Sequence, residues 1–315
     1  MKHSCFLILA FLTLFSCRQQ LEIDLPEMEV KPVVNCIFSP KTPFIVYLSL
    51  PASPTDSTYE YITGAEVTIT GDDGSSYHLL HHDDGLYTDT LAFPKTGVQY
   101  TLNAQAPGYP MVTASDKIPV TATRIQGYTI ETRTYSDAED AMSAGTKKYQ
   151  NLGLSLKNDL SVNDFMGISV VHNRVVHHYT PDSVYEVEEE GKYQHGYIES
   201  DNLAITNEGL ENYDDQPGLL FRDVLLIKET EIIDVKVYTE TASKFWLKFY
   251  LYSPSCFQYF RTWVIHDYTQ SYDFWEIYEP LPMYSNIENG YGIFAGYTSI
   301  DYLLTKAGSP GTFEQ

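Results

Sequence analysis

The sequence predicts a mainly β protein. An N-terminal immunoglobulin- or prealbumin-like β-sandwich precedes a larger antiparallel β domain with one helix near 254–271. Three observations predict this. Short apolar–polar alternations of period two recur from Lys31 onward and are divided by Gly–Asp turns. The same period returns over 151–157, 166–172, 233–237 and 245–252. It changes once, to steps of three and four, after Ser253.

Residues 1–16 start with a basic residue, Lys2, and carry an apolar run, Phe6–Phe15, closed by Ser16. A basic start, an apolar stretch and a small residue before the cut define a secretory signal peptide. The run falls short of the ~20 apolar residues of a permanent membrane-spanning helix. Cys17 follows Leu14-Phe15-Ser16 directly. The segment is similar to a bacterial lipoprotein signal, in which the thiol is acylated and the cut leaves the modified cysteine as the new N-terminus. Cys17 is therefore the expected lipidation site. Residues 17–29 are polar and acidic with one proline, Pro26, and read as a tether.

Residues 30–122 are assigned to the β-sandwich. Phe44–Leu50 is a buried-strand candidate, and Ala65, Val67 and Ile69 alternate with Glu66, Thr68 and Thr70. Gly71-Asp72-Asp73-Gly74 supplies a tight turn, since Gly and Asp tolerate positive φ. Ser75–Leu80 is the return strand, and Asp83-Asp84-Gly85 turns the chain again before Leu86–Leu91. Val98, Tyr100, Leu102 and Ala104 alternate once more, and Ile118-Pro119 ends the unit. About seven short strands with regular turns are the pattern of a small sandwich.

Residues 123–315 are assigned to an aromatic-rich β domain. Residues 134–147 are polar and small, as in an exposed loop, and the acidic stretch 180–217 reads as long hairpins or loops. Phe245, Leu247, Phe249 and Leu251 alternate with Trp246, Lys248, Tyr250 and Tyr252. Beyond them Ser253 or Ser255 can cap a helix with Pro254 in its first turn, and Ser255 with Gln258 has capping-box spacing. Phe257, Phe260, Val264 and Tyr268 would form one apolar helical face. Asn286–Gly296, with Gly290, Gly292 and Gly296, is expected to form a shaped turn that locks the C-terminal sheet.

The chain has 315 residues and a net charge of −22, from 42 acidic and 20 basic side chains. Such a balance opposes nucleic acid, whose phosphates require Lys and Arg. It also opposes electrostatic docking to anionic lipid. Of four cysteines, Cys5 lies in the signal and Cys17 at the anchor, leaving Cys36 and Cys256, which are expected as two buried free thiols. No C-x-x-C, H-E-x-x-H, G-x-S-x-G or glycine-rich phosphate loop occurs.

Two histidine groups invite a metal reading: His78, His81 and His82 beside Asp83 and Asp84, and His172, His177 and His178. Asp72-Asp73-Gly74 and Asp214-Asp215 invite a calcium reading, without the twelve-residue loop that ends in a glutamate. Turn chemistry and solvation account for the aspartates, and satisfied or exposed histidines for the second histidine group, so no metal and no cofactor is expected. The aromatic load is more suggestive. Residues 245–302 hold all 3 tryptophans, with 10 tyrosines and 6 phenylalanines. Helix and strands can bury these rings as core. The strand face of Trp246, Tyr250 and Tyr252, opposite the apolar face, is the candidate ligand-binding surface, because such rings offer flat faces to sugars or anchor protein interfaces.

Several landmarks occur together: Gly64-Ala65-Glu66-Val67-Thr68-Ile69, Asp84-Gly85-Leu86-Tyr87, Gly97-Val98-Gln99-Tyr100-Thr101-Leu102 and Ala106-Pro107-Gly108-Tyr109. They resemble the prealbumin-like or carboxypeptidase-regulatory type of sandwich. Cys17, Glu22-Ile23-Asp24-Leu25, Lys31-Pro32-Val33-Val34-Asn35, Asp116-Lys117-Ile118-Pro119 and Ser285–Gly296 follow in order. In that order the chain resembles a family of Bacteroidota outer-membrane lipoproteins of unassigned function, often encoded beside TonB-dependent receptors. The resemblance implies no catalytic residues. It implies a membrane attachment through the N-terminal lipid, with a TonB-dependent receptor and a SusD-like lipoprotein as partners. Surface-exported members often carry an acidic cluster just after the cysteine. Here Arg18-Gln19-Gln20-Leu21 intervenes, and the cell surface is expected over the periplasmic face. The leading expectation is a non-enzymatic accessory protein that binds or positions such an uptake complex or its ligand. A direct glycan- or peptide-binding lipoprotein and a hydrolase with a dispersed site are the alternatives.

Overall fold

Period-two alternation becomes strand nearly everywhere in the computed structural model, which describes residues 29–52, 60–136, 146–179, 184–202, 205, 218–223, 226–239, 244–270, 282–305 and 311–312. The first seven strands are β1 (Val33–Phe38), β2 (Ile45–Ser49), β3 (Glu66–Gly71), β4 (Ser76–His81), β5 (Leu86–Thr88), β6 (Gln99–Gln105) and β7 (Val112–Lys117). The next eight are β8 (Arg124–Ser136), β9 (Thr146–Lys157), β10 (Phe165–Tyr179), β11 (Val184–His195), β12 (Ile198–Glu199), β13 (Leu219–Arg222), β14 (Thr230–Val237) and β15 (Lys244–Tyr252). Helix α1 (Pro254–Gln270), β16 (Tyr291–Thr305) and β17 (Gly311–Thr312) complete the order. The fold is mainly β and sandwich-like, as the sequence predicts.

A twelve-stranded sheet runs β11-β10-β15-β16-β1-β2-β5-β4-β3-β6-β7, with β13 also paired to β10. A five-stranded sheet runs β12-β14-β9-β8-β17. The long sheet folds over at β4, which pairs with β5 on one side and β3 on the other. This rolls the first seven strands around a core of Val34, Cys36, Phe38, Phe44, Val46, Val67, Ile69, Tyr87, Tyr100 and Leu102. Its centre is aromatic: Phe44 meets Tyr100 at 5.0 Å and 77°, and Phe38 meets Phe294 at 4.7 Å. Such tilted pairs add about 0.5–1.5 kcal/mol beyond the area they bury.

Phe294 belongs to β16, far along the chain. Residues 291–296 of β16 pair in parallel with β1, from Val33↔Tyr291 to Phe38↔Gly296. Residues 297–305 pair antiparallel with β15, from Tyr252↔Tyr297 to Lys244↔Thr305. The expectation of a turn over Asn286–Gly296 is therefore corrected: from Tyr291 this stretch is strand. Its glycines serve close approach instead. Gly292 takes φ +98° and faces the Val34 carbonyl, while Gly296 lies against the Lys117–Ile118 backbone. The long hairpins or loops expected over 180–217 include one hairpin strand, β11, which pairs antiparallel with β10 from Val171↔His195 to Tyr179↔Val184.

The second core lies between the two sheets. Leu152, Leu154 and Leu156 of β9 and Ile233, Val235 and Val237 of β14 face Met166, Ile168 and Val170 of β10 and Phe245, Leu247, Phe249 and Leu251 of β15. Tyr302 and Leu304 of β16 enter the same core, and the Tyr302 hydroxyl accepts the Ile125 N–H at 3.2 Å. The connection between the sandwiches is pinned by hydroxyls, with Thr121 Oγ1 and Thr123 Oγ1 each donating to Asp164 Oδ2 at 2.6 Å.

Helix α1 covers the other face of the long sheet. Cys256 and Phe257 pack with Ile293, Ala295, Tyr252 and Leu220. Ser253 is the cap. Its Oγ accepts the Cys256 N–H at 3.1 Å and donates to buried Asp116 Oδ2, which also accepts the Gly296 N–H at 3.0 Å. One carboxylate thus joins β7, β16 and the helix N-terminus. The described residues from Lys31 onward form one compact folded unit. Among the described residues, no helix is long and apolar enough to cross a membrane.

Candidate functional site

Alternation along β15 buries Phe245, Leu247, Phe249 and Leu251 and turns Lys244, Trp246, Lys248, Tyr250 and Tyr252 to the outer face. That face changes character along its length. At the helix end, Tyr252 is 5% exposed and lies under Phe260 of α1 at 5.5 Å. Burial pushes its phenol well above the usual range. Tyr252 therefore offers no free ring surface, and it stacks on Tyr250 at 5.5 Å and 8°. Tyr250 is half-buried, with its hydroxyl 3.4 Å from Ser169 Oγ.

The far end is open. Trp246 is half-buried and meets the ring of Tyr193, from β11, at 4.9 Å and 80°. Tyr193 is 59% exposed, and Leu303, directly across from Trp246 on β16, is 50% exposed. Lys248 stands opposite Asp301, with Nζ 3.8 Å from its Oδ1. Lys41 Nζ reaches the same carboxylate at 2.6 Å and Ser299 Oγ at 3.2 Å. Of the three candidate rings, Trp246 and Tyr250 border one polar–aromatic surface, and Tyr252 supports it from beneath the helix.

A second aromatic group escaped the sequence reading. Tyr135, Tyr149, Tyr197 and Tyr238 gather at one end of the five-stranded sheet, with Tyr135–Tyr238 at 5.7 Å and Tyr197–Tyr238 at 5.4 Å. Glu199 accepts both the Tyr197 and Tyr238 hydroxyls, at 3.0 and 2.6 Å. Burial, then the Glu199 carboxylate, push the Tyr238 phenol up. These tyrosines come from four separate strand regions, so no local window of sequence collects them.

A third surface lies on the first sandwich. Asn35, Tyr47 and Leu86 share one cross-strand row, and Ile45, Thr88 and Leu80 share the next. Tyr47 is 47% and Leu80 62% exposed, and Ile37 extends the same apolar face.

The histidines divide by environment. His78, His81 and His82 are all exposed on the first sandwich. His172 is buried, and burial lowers its pKa. Its Nδ1 lies 2.7 Å from the Asn173 carbonyl, so that nitrogen carries the proton and Nε2 accepts from the Gln194 amide at 3.4 Å. His178 is exposed, and the side chain of His177 lies outside the described residues. Among the described residues, no group of three His, Cys, Asp or Glu side chains is placed to hold a metal ion. Asp73 of the expected turn receives Lys95 at 2.8 Å, which holds its carboxyl below the usual range, and Asp72 accepts the Gln99 N–H. Asp214 and Asp215 lie outside the described residues, as does Cys17.

Cys36 and Cys256 are free and buried. Cys36 faces the first core, whereas Cys256, in the first turn of α1, packs with Ile293 and Ala295 on the opposite face of the sheet. Burial pushes both thiols well above their ordinary range.

The arrangement defines a two-core β protein with open aromatic and apolar sheet faces. The chain belongs to the family described as Domain of unknown function (DUF4249), whose model matches residues 18–302. No curated protein matches the sequence.

Proposed function

We propose that this protein is a lipid-anchored accessory protein of the outer membrane, which binds or positions a TonB-dependent nutrient-uptake complex or its ligand. The observation that carries this reading is the open face of β1, β2, β5 and β4, where Ile37, Ile45, Tyr47 and Leu80 stand in solvent. Contiguous exposed apolar side chains mark protein–protein surfaces. The Leu14-Phe15-Ser16-Cys17 string supports attachment through acylated Cys17, and the resemblance of the whole chain supports the uptake setting. The reading is one of binding, not of catalysis. Its test is affinity purification of the tagged full chain from its own membranes. Wild type should recover a receptor, its SusD-like lipoprotein or a nutrient ligand. Tyr47→Asp with Leu80→Asp should lose the protein partner while staying folded. Recovery of nothing by wild type would reject the reading.

A second reading is favoured by the corner that Trp246 forms with Tyr193: direct binding of a glycan or peptide. Replacing Trp246 by alanine should then abolish binding without unfolding, and unchanged binding would remove this surface from consideration.

A further inference from the structure

The outer face of β15 concentrates cations in an acidic chain. Lys244, Trp246 and Lys248 alternate outward on one strand, with ~6.7 Å between successive outward residues. Lys41 joins them from the turn after β1, and both Lys41 and Lys248 lean on the single carboxylate of Asp301. Two ammonium groups sharing one carboxylate leave a local positive surplus beside Trp246, within a chain of net charge −22.

We propose that this face binds an anionic oligosaccharide, a sugar chain bearing carboxylate or sulfate groups. The proposal rests on the direct-binding reading above and names its ligand class. The apolar face of a sugar ring matches the Trp246 ring, and Tyr193 walls that position at 80°. Ser299 and Tyr250, across from each other on β16 and β15, present hydroxyls two outward rows from Trp246. Lys41 and Lys248 supply point charges for the acidic group. The screening length is about 8 Å at physiological ionic strength, so the charges close to Trp246 set the local field. The nearby β11 carboxylates are engaged, Glu189 by Lys192 at 3.0 Å and Glu188 by the Asn173 amide at 2.9 Å. An acidic peptide fits less well. Extended peptides draw main-chain affinity from an open sheet edge, and β15 is hydrogen-bonded on both sides, to β10 and β16.

The test is calorimetric titration of the detergent-solubilised full chain with four probes: hexagalacturonate, a sulfated heparin hexasaccharide, maltohexaose and hexaglutamate. At least one anionic sugar should bind tenfold or more tightly than both maltohexaose and hexaglutamate, and the better of the two identifies the acidic group. Trp246→Ala and Lys248→Gln should each weaken that binding about tenfold, with thermal unfolding unchanged. Asp301→Asn should tighten it several-fold by releasing both lysines, a gain that loss of a structural ion pair would not give. The proposal is overturned if neither anionic sugar binds, if maltohexaose or hexaglutamate binds as well, or if Asp301→Asn weakens binding. Should the sugars fail while receptor components still co-purify with the tagged chain, this inference falls and the accessory-protein reading stands.

Discussion

Ser253 and Asp116 show how much of this architecture hangs on single polar atoms. The Ser253 hydroxyl caps α1 and donates to Asp116, whose carboxylate also holds the Gly296 N–H of β16. Removing a cap costs ~1 kcal/mol. Leaving a buried acceptor short of a donor costs a further ~1–3 kcal/mol. Ser253→Ala should therefore lower the stability of the full chain by about 2–4 kcal/mol in urea unfolding, and Ser253→Thr should recover most of it. Asp116 also sets a pH dependence. Burial raises its pKa above the ordinary 3.8, against the lowering effects of Ser253, Gly296 and Lys117. The folded state thus holds this proton more tightly than the unfolded chain does. Its contribution is fully favourable below the unfolded pKa and is lost as pH rises through the folded one. In Asp116→Asn that loss should vanish from the stability profile above about pH 4. An unaltered profile would show that Asp116 titrates as an ordinary carboxyl.

At the scale of elements, local pattern and long-range pairing were unequally legible. Helix α1 was readable because Phe257, Phe260 and Val264 recur at helical steps behind a Ser-Pro start, and it runs Pro254–Gln270 against the expected 254–271. Strand β15 was readable from its strict alternation. The partner of β1 was not, since period two announces a strand without naming its neighbour, and the neighbour lies some 258 residues on. The glycines of 290–296 pointed to close backbone approach or to bending, and only pairing decides between the two. The candidate surface was half legible for the same reason. Alternation put Trp246, Tyr250 and Tyr252 on one strand face, but the helix that covers Tyr252 and the Tyr193 ring that walls Trp246 arrive through tertiary packing. Gly292 gives a direct test of the pairing. Its φ of +98° and its approach to the Val34 carbonyl leave no room for a Cβ. Gly292→Ala should cost more than ~3 kcal/mol, and hydrogen exchange should show β1 amides opening before those of β14. Equal protection in the variant would mean that β1 does not depend on β16.

At the scale of the molecule, the two cores share one strand. Phe294 fills the first core between Phe38 and Phe44, at 4.7 and 6.5 Å, while Tyr302 and Leu304 of the same strand fill the second. The opposite side of β16 carries Ile293 and Ala295 to α1. A sandwich cut out as Lys31–Ala122, within the 30–122 unit that the sequence suggests, would lose the Phe294 ring and expose the β1 edge. Truncating a buried Phe costs ~3–5 kcal/mol, comparable to the whole stability of a domain of this size. An unpaired edge next to exposed Ile37 and Tyr47 also invites aggregation. The excised fragment should therefore fail to give a cooperative unfolding transition. Joining residues 284–297 to its C-terminus through a flexible linker should restore one, because the missing strand and ring return together. The same fusion with Phe294→Ala should fold only partially, which separates the contribution of the ring from that of the backbone pairing. If Lys31–Ala122 unfolds cooperatively alone, the first sandwich is self-sufficient and β16 merely docks on it. If only the fusion does, the end of the chain must be made before its beginning can finish folding. A chain of this design would reach its native state only after β16 is available.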